Sequence, residues 1–200
     1  FSELPNAKKQ WEEYANAIAE ARAEIIRADR EARTFFEDVR EGILNSRISR
    51  DTTKADTAMT RSDLAKSWKE SVKWINEANR LLEKNLENQQ KIKDNAKARA
   101  KDNKKILSKN GFKFFEDGML KSPDKTLDKL RQKLSTEEYE AVKEAYDEYV
   151  KDMYETIPEA EKEWYELRKE IEENKKTIEE TNKAMQDLVD SADLTQLTAS

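Results

Sequence analysis

Trp11, Tyr14, Ile18, Ala21, Ile25, Ala28, Ala32, Phe35 and Val39 follow one another at alternating intervals of three and four residues. That period places all of them along one side of a helix, whereas a strand would need alternation at every second residue. The same spacing returns twice. It runs through Ala65, Trp68, Val72, Ile75, Asn79, Leu82, Leu86, Gln89, Lys93, Ala96 and Ala100. It returns through Tyr139, Val142, Tyr146, Val150, Met153, Ile157, Ala160, Trp164, Leu167, Ile171, Asn174, Ile178, Thr181, Met185 and Leu188, with one four-four step around Tyr146. Three glycines and three prolines in 200 residues cannot supply the turns of a sandwich or barrel. No near-continuous apolar strand of the doubly wound kind is present, and no apolar run approaches the ~20 residues of a membrane span. Charged residues at 40% against hydrophobic ones at 36%, with a mean hydropathy of -1.07, complete the signature of long helices and coiled coils.

Local signals divide the chain into helices over about 5–46, 52–108, 123–134 and 136–190. Pro5 suits a first helical turn, where its missing N–H is not needed. Gly42 and Asn45-Ser46-Arg47 weaken the end of the first helix, and 51–60 reads as either helix or loop. Beyond Leu86 the second seam carries Gln, Lys and Ala where a tight core would place Leu or Ile. Ser135-Thr136-Glu137-Glu138 is a capping box that opens the last long helix. Pro158 falls inside that helix and reads as a kink, with two separate helices as the alternative. Residues 109–134 form a tip subdomain. Asn110-Gly111 and Asp117-Gly118 mark turns, and Ser122-Pro123 reads as an N-cap followed by a first-turn proline. The short helix after it has Leu127, Leu130 and Leu134 on one face.

Short connections make consecutive helices antiparallel neighbours. The expected fold is all-α: a single elongated antiparallel three-helix bundle or coiled coil over 1–200, with a short fold-back helix at one tip. Alanines at 21, 28 and 32 let helices approach closely, while Trp11, Trp68 and Trp164 fill wider layers. Asn79 and Asn174 would fix register at a cost in stability.

Charge is unevenly spread about a net of -5. Leu81–Lys113 holds ten basic and four acidic residues, and from Thr136 onward twenty acidic residues face eight basic ones. The expectation is that the basic stretch pairs with the acidic third helix across the bundle. Its alternative is a free basic surface of Lys97, Arg99, Lys101, Lys104 and Lys105 for nucleic acid or anionic lipid. An acidic chain argues against a nucleic-acid partner.

Without His or Cys, the commonest general base, thiol nucleophile and soft metal ligands are missing. No phosphate-binding glycine motif or EF-hand loop is present, and the acids around Glu116-Asp117-Gly118 have the wrong spacing for calcium. There is no RGD triplet. The chain is therefore expected to be no enzyme and to hold no cofactor or metal. Its start at Phe1 fits a processed form or a domain of a longer protein.

One segment breaks the helical pattern with large apolar residues. Gly111–Leu120 carries Phe112, Phe114, Phe115, Met119 and Leu120 in a connection, where exposed clusters mark binding sites. Some of them can instead plug the gap beneath the fold-back helix. The leading expectation is a non-catalytic module that presents a tip or lateral surface to a protein partner or receptor, as part of a secreted bacterial toxin, translocator or surface protein. The alternatives are an intracellular scaffold that self-associates through the seam from Gln89 to Ala100, and a binder of anionic membrane surfaces. Monomer and homo-oligomer remain equally open to the sequence.

Overall fold

The computed structural model describes the backbone of residues 3–198, and side chains over 8–191 apart from Ala19, Arg22, Ala23, Ile26 and Arg30. In order, the elements are α1 (Glu3–Asp63), α2 (Trp68–Lys109), β1 (Lys113–Phe114), β2 (Leu120–Lys121), α3 (Pro123–Lys133), α4 (Thr136–Lys151), a single π turn (Asp152–Thr156) and α5 (Ile157–Thr198). The fold is an all-α helical bundle, as the spacing requires. None of its described helices is long and apolar enough to cross a membrane. The chain forms two compact units. One joins the chain up to Glu41 to Ala98–Met153, and the other joins Gly42–Lys97 to the chain from Tyr154 onward.

In the second unit three helices bury one another. Ala55 and Ala58 of α1 meet Ala78, Leu81 and Leu82 of α2 and Ile171 of α5, and a second cluster unites Leu44, Ile92 and Ala160. Small residues on α1 against Leu and Ile on its neighbours let the backbones come close while the layers stay filled. Polar seam residues are paired across the helices. Asn85 donates to the Ile48 carbonyl at 3.2 Å and to Thr52 Oγ1 at 2.9 Å, and Asn174 donates to Asn79 Oδ1 at 2.8 Å. Both members of the Asn79–Asn174 pair are buried, so a slip of either helix would strand an amide without a partner. The register role expected of these two asparagines has its physical basis there.

The first connection lies elsewhere than the sequence suggested. No break occurs at 47–51: α1 runs on to Asp63, and the turn falls at 64–67, so Ala65 sits in that turn rather than on the second helix. Thr53, Thr57 and Thr60 each return a hydroxyl to the carbonyl four residues back, at 3.0, 2.8 and 3.0 Å. Their polarity is thereby satisfied within the helix while Ala55 and Ala58 bury, and burial outweighs weak propensity. The start of α2 is marked by Ser67, whose Oγ accepts from the Glu70 N–H at 3.3 Å.

At the other end the capping box forms as read, with Ser135 and Glu138 each satisfying the other's backbone N–H. Pro158 neither kinks an unbroken α-helix nor separates two helices by a loop. A π turn at Asp152–Thr156 precedes it, and Pro158 is the second residue of α5. Proline has no N–H to return to the carbonyl four residues back, that of Tyr154, and crowds it sterically. A wide turn spanning that carbonyl absorbs both effects. The third stripe stays in phase through it, and every member from Tyr139 to Met185 is at least half-buried.

The first unit departs from expectation at α1. Its core comprises Ala100 and Leu107 of α2, Phe112, Leu127 of α3, and Val142, Ala145 and Tyr149 of α4, with Leu120, Leu130 and Leu134 packed against it. The fold-back helix therefore covers the end of α2, as expected. Among the described residues α1 contributes nothing to this core, and the stripe from Trp11 to Val39 expected to be buried is exposed throughout, Trp11 to 76%. Thr34, Glu37 and Glu41 are the half-buried positions instead. Val39 lies two residues from both glutamates, hence about 200° round the helix, so the face turned inward is opposite the apolar one.

Replacing Asn79 or Asn174 singly by Leu should cost about 1–3 kcal/mol, because each leaves a buried amide unpaired. The double Asn79→Leu/Asn174→Leu variant should recover most of that loss. Thermal melts of the four proteins form the double-mutant cycle that checks it.

Candidate functional site

The tip is a small hairpin held from behind. Gly111 and Gly118 adopt φ of +85° and +89°, the positive values that the two turn signals anticipated. β1 and β2 pair antiparallel, with Lys113 opposite Lys121 and Phe114 opposite Leu120. Across the apex, the Phe115 N–H donates to the Met119 carbonyl at 2.8 Å and the Gly118 N–H to the Phe115 carbonyl at 3.1 Å. Asp117 Oδ1 accepts from the Met119 N–H at 2.9 Å, which tightens the turn further.

Tyr149 anchors this loop to α4. Its hydroxyl donates to the Gly118 carbonyl at 2.6 Å, and its ring meets Phe114 edge-on at 5.5 Å. A Cβ at residue 118 would meet Met153 Cε and Tyr149 Oη at 3.3 Å, so close approach as well as positive φ selects glycine. Phe112 is buried and stacks on Tyr146 at 6.0 Å, while Lys104 Nζ lies 4.9 Å from the Phe114 ring centroid.

The five apolar candidates thus divide into two groups. Phe112, Phe114 and Leu120 plug the core. Phe115 and Met119 stand outward, 52% and 45% exposed, on either side of Glu116 and Asp117. Two large apolar side chains are displayed on a backbone whose opposite face is fastened by a hydrogen bond and two rings.

The basic candidates do not gather into one surface. Arg99 is turned inward: it donates to Asp152 through Nη2 at 2.7 Å and Nε at 3.1 Å, with Glu41 at 3.4 Å and Glu37 at 3.7 Å. Asp152 itself is 2% exposed. Its hydrogen bond is the main reason that the Arg99 pKa is raised, against the opposing effect of burial. Burial pushes the Glu37 carboxyl up, with Arg99 pulling the other way. Lys97 pairs with Glu161 at 3.6 Å and Lys105 with Asp102 at 2.8 Å. Lys104 lies over Phe114, and Lys101 is exposed. Arg99 is therefore a structural cation rather than part of a free basic face, and both it and Lys97 meet acids of the third helical stretch.

A different set of lysines does converge. Lys113 and Lys121 of the hairpin and Lys125, Lys129 and Lys133 of α3 line one open groove of about 420 Å³, with Ser122 and Thr126 between them. Ser122 does not cap α3. It takes φ 47° and ψ 55° and makes no side-chain cap bond, turning the chain from β2 into the helix. The sequence signal for this convergence is the i, i+4, i+8 spacing of Lys125, Lys129 and Lys133 on a short helix, outside the basic stretch Leu81–Lys113.

Removing Arg99 alone, as Arg99→Met, should cost about 3–5 kcal/mol by leaving Asp152 buried and unpaired. Arg99→Met/Asp152→Leu should be far less damaging, and denaturant unfolding of the three proteins separates these outcomes.

Compared with known protein families, with curated proteins and with solved structures, the chain matches none.

Proposed function

We propose that this chain is a non-catalytic protein-interaction module whose recognition element is the hairpin apex bearing Phe115 and Met119. The observation that carries this reading is the exposure of both side chains on a loop fastened by Tyr149 from behind. A displayed apolar pair on an immobilised turn gives up little conformational entropy on binding, and Phe and Met are enriched at protein interfaces. Recognition by a rigid tip fits a receptor-binding or spacer part of a secreted bacterial toxin, translocator or surface protein, a setting that rests on composition and the lack of cysteine alone.

Deleting Phe112–Leu120 would remove three core residues, so it cannot test the apex. Phe115→Ser/Met119→Ser leaves the core intact. Peptides selected by phage display against the immobilised full chain should lose binding to this variant while its melting curve stays unchanged. Selected peptides that bind the variant equally well overturn the reading.

A second reading, self-association, draws on the exposed stripe of α1. The seam from Gln89 to Ala100 is not free for it: Gln89, Ala96 and Ala100 are buried and Lys93 half-buried. Trp11, Ile18, Ile25 and Phe35 are exposed in phase, which is the pattern of a helix face that packs on another helix. Light scattering across a concentration series should then give a mass that rises with concentration and falls back in Trp11→Ser/Ile18→Ser. A constant monomer mass disposes of this second reading.

A further inference from the structure

The five lysines of the groove repel one another by design of the backbone. Lys113 and Lys121 are direct cross-strand partners, and Lys125, Lys129 and Lys133 succeed one another at i+4. Like charges in both arrangements are destabilising. Elsewhere the chain compensates such lysines: Lys143, Lys162, Lys169 and Lys176 each pair with an acid four residues on. None of the five groove lysines takes part in an ion pair among the described residues. Ser122, held in the left-handed region, brings the hairpin pair and the helical three to the same groove.

We propose that this groove receives an extended acidic segment of a protein partner, with carboxylates at alternate positions lying over Lys125, Lys129 and Lys133. Four residues of α-helix advance about 6 Å, and two residues of extended chain about 6.6–6.8 Å, so the two repeats match over three charges. Lysine ammoniums are point charges that suit single carboxylates, without the planar fork of arginine. The Phe115 ring lies against Lys121 Nζ at 4.6 Å, and a net charge of -5 argues against a nucleic-acid partner. Exposed Glu116 and Asp117 at the apex would be pressed against an anionic bilayer, which disfavours a membrane surface. The inference rests on the reading of the hairpin as protein-binding, and it adds the chemistry of the partner: an acidic strand.

The test uses the full chain and a fluorescent peptide of eight residues that alternates glutamate with serine, followed by anisotropy at about 0.1 M salt. An isomer with its glutamates contiguous is the first control. The alternating peptide should bind about tenfold more tightly than the isomer, and Lys125→Gln/Lys129→Gln/Lys133→Gln should weaken it about tenfold with an unchanged melting curve. Lys162→Gln/Lys169→Gln/Lys176→Gln should leave binding intact. Because the peptide has no apolar residue, it should bind Met119→Ser, which keeps the Phe115–Lys121 contact, as it binds the parent, so failure of the apex reading is told apart from failure of the groove. No binding, equal binding of the two isomers, or tighter binding of tripolyphosphate or of vesicles containing phosphatidylserine would each overturn the proposal.

Discussion

The bidentate bond between Arg99 and Asp152 is the constraint around which the first unit is organised. A carboxylate that is 2% exposed persists only with its charge matched and its lone pairs filled. Arg99 does so from α2 with two hydrogen bonds, and Asp152 opens the π turn that carries the chain past Pro158. The same guanidinium attracts Glu37 and Glu41, which lie one helical turn apart on α1. These two glutamates, with Thr34 donating to Glu148, mark the side of α1 that faces inward. The apolar stripe is left outside, which forgoes a favourable burial but strands no polar group.

Space acts in the same direction. In a plain three-helix bundle, α1 would cover Ala100, Leu107, Val142 and Ala145. Here Phe112, Leu127 and the flanking Leu120, Leu130 and Leu134 already do so. Tyr149 joins this core to the hairpin through one hydroxyl and one ring contact, which stiffens the apex where Phe115 and Met119 project. The packing that closes the core is therefore also the packing that displays the candidate site. The lysine groove has the same origin, since α3 is brought beside β2 by its leucines and carries its lysines to the hairpin pair on another face.

Helical spacing was legible wherever a stripe has neighbours on both sides. The α2 stripe from Trp68 to Ala100 and the stripe of α4 and α5 are buried or half-buried almost without exception, and Asn79 meets Asn174 as their shared seam positions imply. The first turn lies beyond Gly42 and Asn45-Ser46-Arg47, which weigh as breakers when taken alone. Their cost is small beside the burial of Ala55 and Ala58 against Leu81, Leu82 and Ile171. A local signal for the true start of α2 was available: Ser67-Trp68-Lys69-Glu70 has the spacing of the capping box recognised at Ser135–Glu138.

By itself, then, the sequence determined the all-helical class, the faces of α2 and of the last long helical stretch, the two glycine turns and the cap at Ser135. These follow from periodicity and from backbone conformations that few residues tolerate, and both are properties of neighbours along the chain. Only the tertiary structure decided which face of α1 turns inward, which phenylalanines of the tip are core and which are displayed, and which lysines converge. Those outcomes depend on contacts between residues such as Thr34 and Glu148, or Gly118 and Tyr149, that are far apart in sequence. An apolar stripe states that a helix can bury a face; competition for the same space settles whether it does.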